Sequence, residues 1–432
     1  MPHRDDPGIS ATTGRQMPLS AAAAVFAGIS VPLVASSPAA MGVALILAIA
    51  LVFAAPGRRA ILAGARQGVL SILGLAVLLV FLAWLPSVLA SADIGRSAGV
   101  WGRMVIFVVV AWGIYQFLWS SAVRRASAFR GLVIASLVSA VVGLIAIYAW
   151  SPLYALFRLD GIGAVNAAQI LKYYGSAVGC LVPVVVWAGF RLGGGWRVAG
   201  LLHAALGVAM IFAVDSKAGL LALIVSIVIG LLAWLAGRFA GRFALGGGLA
   251  VIVLVAITLL SVILASLPDA PDLAQHTGTQ FEGVLEPSLP IALVDAHRQQ
   301  IWAFSLDAAL ASPVIGRGID VSNYLPGAGI VVTQFNQAFI PGHPHSWFIE
   351  MFLETGALGL LALIVALGAL LWRWVDVAAR APVEAAIGIA VFAGFWVSSM
   401  LNFSIWSAWW QGVFLVLTAI VLAAAPARPE SR

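Results

Sequence analysis

Apolar residues fill the chain in long uninterrupted runs, and short polar links separate one run from the next. A helix needs about 20 such residues to cross the hydrocarbon core of a bilayer. The pattern therefore predicts an all-α polytopic membrane protein with about 12 transmembrane helices. The predicted spans are residues 19–37, 39–55, 69–90, 104–122, 131–150, 171–190, 198–214, 218–236, 245–267, 346–371, 384–403 and 406–424.

The spans divide the chain into five parts. We expect a disordered cytoplasmic tail at residues 1–18, a nine-helix membrane part at 19–267 and a large periplasmic loop at 268–345. A three-helix membrane part at 346–424 and a second cytoplasmic tail at 425–432 follow. The loop is the only long hydrophilic stretch, and loops of this length are more often functional than plain connections.

The loop itself contains one helical pattern. Apolar side chains recur at helical spacing over residues 291–311, which predicts a short amphipathic helix along the membrane surface. Ser312 and Pro313 end this helix, because a residue before proline disfavours helical geometry. A glycine-rich turn follows at residues 316–318.

Composition agrees with the membrane prediction. Hydrophobic residues make up 62% of the chain and charged residues only 9%, which is too few to cover a soluble globule. The formal charge of +6 does not indicate nucleic-acid binding, because the basic residues lie between hydrophobic runs. The single cysteine, Cys180, excludes an internal disulfide. No phosphate-binding loop and no Asp-x-Asp pair for Mg²⁺ is present outside, so we expect no cofactor and no metal.

Lysine and arginine set the expected orientation. With the N-terminus in the cytoplasm, 16 of the 23 basic residues fall in cytoplasmic segments, as membrane proteins prefer. Both termini are then cytoplasmic and the loop lies outside. The outside cations oppose this preference, so a function could require them. They are Arg96, Arg103, Arg158, Lys172, Lys217, Arg298 and Arg317.

The sharpest candidate for chemistry is the segment Gly-His-Pro-His-Ser-Trp at 342–347. Proline is favoured at the first helical position, so we expect Pro344 to begin span ten and His345 to lie in its first turn. Backbone N–H groups there suit a phosphate or diphosphate, and His345 could accept a proton from an attacking hydroxyl. The alternative is that His343 and His345 only cap the helix and bind loop backbone.

Two further sets of side chains accompany the histidines. Ser346, Glu350 and Glu354 recur every fourth residue and should face one way, toward a cavity or a partner. An indole-rich stretch fits a belt at the membrane interface. Its members are Trp406, Trp409 and Trp410.

Arginines of the outer segments are candidates for phosphate binding. The guanidinium of Arg298 could bind phosphate oxygens in a bidentate way, or it could pair with Asp295. Arg317 is equally ambiguous. Arg158 could contact a polyanionic lipid headgroup or pair with Asp160.

Two other cations, Arg103 and Lys217, have a structural alternative to phosphate binding as well. Arg103 could extend its side chain to the lipid headgroups. Lys217 lies beside Asp215 at a tight hairpin, where a local ion pair is the simpler reading.

The order of several motifs resembles the O-antigen ligase and Wzy polymerase superfamily. These motifs are Ser216-Lys217-Ala218-Gly219, Arg298 with Trp302, Pro-Val-Ile-Gly-Arg-Gly at 313–318, His343-Pro344-His345-Ser346, and Glu-Thr-Gly-Ala-Leu-Gly at 354–359. The close match covers about residues 297–360. The sequence departs from the family pattern in having Ser346 where an asparagine is usual and Lys217 where an arginine is usual.

The resemblance implies a glycosyltransferase of the bacterial inner membrane. Such proteins transfer a glycan from undecaprenyl diphosphate to an acceptor hydroxyl at the periplasmic face, without a metal and with inversion. Ligases use lipid A-core, polymerases use another glycan repeat, and the similar protein O-oligosaccharyltransferases use serine or threonine. We expect a ligase, with a polymerase as the alternative. The expected partners are the lipid-linked glycan donor, the acceptor and membrane lipids.

The resemblance also implies roles for individual residues. His345 would assist deprotonation of the acceptor, and Arg298 would hold the diphosphate leaving group. Additional contacts with the diphosphate or glycan would come from Arg158, Arg103, Lys217, Arg317, His343 and Glu354. A transporter or flippase is the rival from another class. It would need charges near the middle of several spans, where this sequence has almost none.

Overall fold

The computed structural model describes most of the chain. The described residues are 13–54, 58–158, 166–273, 278–291 and 294–426. Most of the predicted N-terminal tail, most of the C-terminal tail and the predicted partner Asp160 therefore lie outside them.

Each of the predicted spans coincides with a helix over most of its length. The helices are α1 Thr13–Ser30, α2 Pro38–Ala54, α3 Arg58–Val69, α4 Ile72–Ala90, α5 Ile94–Trp119, α6 Ala122–Tyr148, α7 Pro152–Arg158, α8 Ala167–Ile170, α9 Lys172–Leu192, α10 Gly195–Ala213, α11 Lys217–Leu235, α12 Gly241–Ala265, α13 Ala296–Leu310, α14 Trp347–Ala378, α15 Pro382–Ser398 and α16 Ala408–Ala424.

Within the described residues, seven helical segments are long and apolar enough to cross a membrane, and four shorter apolar helices accompany them. Helices α11 and α12 form one of the seven, joined by a π-helical turn at Ala236–Ala240. Helix α12 buries only Leu245 and exposes apolar side chains around the rest of its surface. Such a surface needs lipid as solvent, so the chain is a multi-pass membrane protein. The count of 12 crossings and their orientation stay predictions.

Helix α9 lies at the centre of the bundle. It packs against α6, α10, α11 and α15, and 72% of an apolar 18-residue stretch of this helix is buried. Close approach of small residues makes this possible: Gly175 and Gly179 face α11, and Gly189 and Gly200 let α9 meet α10. Glycine contacts of this kind are usual between membrane helices.

The large loop folds into a unit with its own core. Three short strands form a sheet in the order β1-β2-β3, with β1 and β2 parallel and β2 and β3 antiparallel. They are β1 Gln280–Phe281, β2 Val331–Val332 and β3 Gln337–Ala338. Helix α13 packs its Ile301, Trp302 and Phe304 against this unit.

The expectation that the loop helix lies along the membrane surface is wrong. Both faces of α13 are covered by protein over most of its length. The side chains of Gln299 and Gln300 are buried and bind the loop backbone at Ser288, Leu289 and Glu286. Polar residues that looked solvent-facing in the pattern are thus the contacts that hold the loop.

Helix α14 is interrupted at Gly356, where φ is 63° and ψ is −173°. The segment 313–318 fills the interruption. The N–H groups of Arg317 and Gly318 donate to the carbonyls of Leu353 and Glu354, each at 3.0 Å.

The exchange also runs the other way. The N–H groups of Ala357 and Leu358 donate to the carbonyls of Pro313 and Val314, at 2.8 and 3.1 Å. These four bonds pair peptide groups on both sides of the break, as irregular backbone inside a membrane protein requires.

We predict that Gly356→Ala destabilises the protein. A non-glycine residue in this conformation costs about 1–3 kcal/mol, and the added Cβ would collide with the carbonyl of Val314. The matched control is Gly368→Ala in the same helix, where a Cβ meets open space and alanine favours the helix. Thermal unfolding in detergent can be followed by dye labelling of the buried thiol of Cys180. Equal midpoints for the two variants would contradict the role of Gly356.

Candidate active site

The histidine pair lies just before α14 rather than inside it. The helix begins at Trp347 with Ser346 as its N-cap, so the expectation that Pro344 begins it is wrong. The reason is backbone geometry: His345 has a φ of 56°, outside the helical region. The N–H of Trp347 donates to the carbonyl of Ser399 at 3.0 Å and is not available to an anion.

One carbonyl orients both imidazoles. His343 Nε2 lies 2.9 Å and His345 Nδ1 lies 3.1 Å from the oxygen of Asn402. A carbonyl only accepts, so both of these nitrogens carry hydrogen. In the neutral rings, Nδ1 of His343 and Nε2 of His345 are then the atoms that hold a lone pair. The shared carbonyl thereby sets the tautomer in which His345 can take a proton through Nε2.

The charge state of the pair follows from its surroundings. Burial, then the neighbouring His343 and Arg298, lower the pKa of His345 to about 3. Burial also lowers the pKa of His343, and the bond to Asn402 partly opposes that change. Both rings are therefore neutral at physiological pH and able to accept a proton.

Helix α13 positions Arg298 next to the histidines. Trp302 Nε1 donates to the carbonyl of Pro344 at 2.9 Å, which fixes the helix against the His-Pro-His segment. Arg298, one turn earlier, is close enough for its charge to act on both imidazoles. Its Nη1 also pairs with Asp295 at 3.2 Å, and 35% of the side chain is exposed. Arg298 thus pairs with Asp295 and lies near His345 at the same time.

Two buried carboxylates hold the loops around this end of the bundle. Glu350 Oε1 accepts from the Ser404 hydroxyl at 2.5 Å, and its Oε2 accepts from the N–H of Ile405 at 2.9 Å. One turn later, Glu354 accepts from the backbone of the large loop. Its donors are the N–H groups of Asp320, Val321 and Ser322 and the indole of Trp406.

The side chains of Glu350 and Glu354 therefore face one way, as their spacing predicts. Both are fully buried. The four donors to Glu354 all belong to the protein, so the structure places this carboxylate in loop positioning. Its predicted contact with substrate stays a prediction.

Arg103 belongs to the same network. It lies within α5, and its Nη2 donates to the carbonyl of Trp406 at 2.8 Å. Its Nε is buried and, within the described chain, has no hydrogen-bond partner. Arg96, two turns earlier, pairs with Asp320 at 2.9 Å and stacks over Tyr324. Arg96 thus binds the large loop to α5, and Arg103 binds the link at residues 399–407 to the same helix.

The prediction of an interfacial tryptophan belt is wrong. The side chains are buried in protein, with relative exposures of 1% for Trp406, 7% for Trp409 and 0% for Trp410. Trp406 bonds Glu354, and Trp410 donates to the Ser399 hydroxyl at 2.7 Å. These two indole bonds hold the link at residues 399–407 between α15 and α16. The same link carries the Asn402 carbonyl.

Three further predicted site residues have local contacts with the protein or lie exposed at its surface. Arg158 ends α7 with its guanidinium 5.9 Å from the ring centre of Tyr154. Lys217 is exposed at the start of α11, where the Ser216 side chain caps the helix. Arg317 is exposed, and its Nε lies 3.3 Å from the carbonyl of Ala308. Their predicted contacts with the diphosphate or glycan stay predictions.

Residues 399–407 are the part of the site that sequence reasoning missed. Asn402, Ser404 and Trp406 supply the carbonyl, the hydroxyl and the indole described above. A signal was present, because Asn402 and Ser404 are polar residues between two apolar spans. Asn402 and Trp406 fall inside the predicted spans 384–403 and 406–424, and only residues 404–405 lie between these spans, so this polarity carried no weight.

The described residues bring no three His, Cys, Asp or Glu side chains together in a way that could hold a metal ion. What they do bring together is a neutral imidazole pair, a guanidinium and buried carboxylates at one end of a membrane bundle. That combination defines a multi-pass membrane protein with a candidate acid–base and anion-binding site.

Comparison with known proteins identifies the domain. Residues 202–364 match the family model described as O-antigen ligase. The matched part runs from α10 to the middle of α14 and contains Arg298, the histidine pair and both carboxylates. Residues 202–364 are therefore similar to the O-antigen ligase family, and the resemblance stated from the motifs is confirmed.

Individual relatives agree with this assignment. A protein of Rickettsia conorii named "Putative polysaccharide ligase" is 25% identical over 129 residues, which are 28% of this chain and 30% of that protein. One of the same description from Rickettsia prowazekii is 28% identical over 127 residues, 28% of this chain and 31% of its own length. The match thus spans about a third of the length of these relatives.

We predict that Glu354→Gln loosens the large loop. An amide offers one acceptor oxygen and turns an N–H group toward donors, which costs about 1–3 kcal/mol for each unmet group. Faster hydrogen exchange at residues 320–322 should accompany a lower midpoint of unfolding. The control is Glu282→Gln at an exposed loop position. Unchanged exchange in Glu354→Gln would show that this carboxylate does not hold the loop.

Proposed function

We propose that this protein transfers a glycan from a lipid diphosphate donor to an acceptor hydroxyl at the periplasmic face of a bacterial inner membrane. The donor is an undecaprenyl-diphosphate glycan, and the acceptor is lipid A-core. The observation that carries the proposal is the pair of imidazoles on one carbonyl beside Arg298. The O-antigen ligase match over the same residues supports it.

His345 acts as the base in this mechanism. Its Nε2 takes the proton of the acceptor hydroxyl while that oxygen attacks the anomeric carbon of the donor. The new glycosidic bond forms as the bond from the anomeric carbon to phosphate breaks, and the configuration inverts. Binding of the anionic donor beside the pair raises the pKa of His345 from its low value, which makes the imidazole a stronger base during the reaction.

Arg298 holds the leaving diphosphate, on which negative charge grows as the bond breaks. The Asp295 pair keeps the guanidinium ordered without burying it. Arg103 is the second candidate for this role, because its buried Nε still lacks an acceptor in the described structure. The reaction needs no metal, because these cations supply the charge that a metal ion would supply elsewhere.

We predict that His345→Asn folds normally but loses at least a hundredfold in transfer rate. The asparagine amide can replace Nδ1 as the donor to the Asn402 carbonyl, whereas nothing replaces the Nε2 base. His343→Gln is the matched variant, because its amide replaces Nε2 as donor to the same carbonyl. It should keep far more activity. Near-normal transfer by His345→Asn would show that both histidines have only a structural role.

Arg298→Ala should also lose transfer activity, while Arg298→Lys should recover part of it. The lysine keeps a positive charge but not the planar fork that binds two phosphate oxygens. Arg242→Ala, at an exposed arginine over Phe243, is the control. Rates are measured with purified protein in liposomes, with membrane insertion checked in parallel. Full activity of Arg298→Ala would remove this residue from the mechanism.

Reconstitution with purified undecaprenyl-diphosphate glycan, with and without lipid A-core, tests the proposed function itself. A single product that needs lipid A-core supports a ligase. A ladder of products without added acceptor would instead indicate a polymerase. Movement of the donor between leaflets without any product would indicate a transporter and end the proposal.

A further inference from the structure

A cavity of about 620 Å³ lies at the end of the bundle away from the histidine pair. Helix α14 begins beside the histidines, and beyond its break at Gly356 it continues to Ala378, about 33 Å further at 1.5 Å per residue. The cavity begins just beyond that end, and its lining includes Trp119, Arg125, Arg191, Arg380 and Glu384. It therefore shares no residue with the site described above.

The lining carries an excess of positive charge. Three guanidinium groups surround the cavity, and Glu384 is the only carboxylate among the lining residues of the described chain. Glu384 pairs with Arg191 at 3.4 Å, and only 8% of the Glu384 side chain is exposed. Arg125 donates its Nη1 to the carbonyls of Leu118 and Trp119, at 3.2 and 2.8 Å, and carbonyls leave its positive charge in place.

Arg380 has donors that the protein does not use. Its Nε and Nη2 are buried and, in the described residues, have no hydrogen-bond partner. The nearest carboxylate oxygen to Nη2 is Asp376 Oδ2 at 3.6 Å, which Arg373 already binds at 3.1 Å. Buried guanidinium donors without acceptors are unfavourable, and an oxyanion with several oxygens would satisfy them.

We propose that this cavity binds the phosphate headgroup of an anionic phospholipid. The arginines lie at the ends of apolar helices, where lipid phosphates are concentrated. Basic pockets between membrane helices are typical sites for such headgroups. The volume lies in the range of about 300–1,000 Å³ usual for small-molecule sites. This lipid would join α6, α9, α15 and α16 at the membrane surface, independently of glycan transfer.

Native mass spectrometry of the purified protein with phosphatidylglycerol or phosphatidylethanolamine tests this site. The wild type should retain phosphatidylglycerol at least tenfold better than the zwitterionic lipid. The double variant Arg125→Gln with Arg380→Gln should lose that preference. The matched control is Arg238→Gln with Arg242→Gln: Gly237, beside Arg238, lies against Ala378 and Pro382, so this pair belongs to the same end of the bundle outside the cavity.

A second variant keeps the test decisive if the double variant does not fold. Glu384→Gln removes the one lining carboxylate and should increase retention of phosphatidylglycerol several-fold. Equal retention by wild type and the double variant, or no change in Glu384→Gln, would overturn the proposal. Inorganic phosphate at millimolar concentration is the competing ligand. If it displaced the lipid and raised the melting temperature of the protein as much as the lipid does, the site would belong to a free anion and the lipid source would be overturned.

Discussion

The exchange of backbone hydrogen bonds between α14 and residues 313–318 is the constraint on which this site depends. A helix that simply continued through Gly356 would leave the loop segment with unpaired peptide groups. The break lets four N–H groups find four carbonyls across the two segments. Because Gly316 and Gly356 lie too close for any Cβ, the two glycine motifs form one structural unit.

A chain of contacts leads from that junction to the two histidines. Glu354, just before the break, collects the N–H groups of the loop at residues 320–322 and the indole of Trp406. Glu350, one turn earlier, holds Ser404 and Ile405. The 399–407 link then presents the Asn402 carbonyl to both histidines. The buried carboxylates thus hold the two loop segments through backbone N–H donors. Each imidazole keeps one ring nitrogen that does not bind the Asn402 carbonyl.

The two ends of the bundle use arginine differently. At the histidine end, Arg96 binds the carbonyl and carboxylate of Asp320, and Arg103 binds the carbonyl of Trp406, so both serve the fold. At the other end, guanidinium groups converge on a cavity with a single lining carboxylate. Positive charge at the histidine end is therefore tied to loop and link structure, whereas at the opposite end it faces an open volume.

The sequence alone determined the membrane class, the helices and the motifs, because apolar runs and glycine spacing act locally. It also determined that Glu350 and Glu354 share a face, since helical periodicity fixes that. Tertiary structure decided what no local pattern carries: the start of α14 at Trp347, the enclosure of α13 and the burial of the tryptophans. It also decided that Asn402, 57 residues after His345, supplies the shared carbonyl. Such contacts depend on how distant segments pack, which residue spacing along the chain cannot encode.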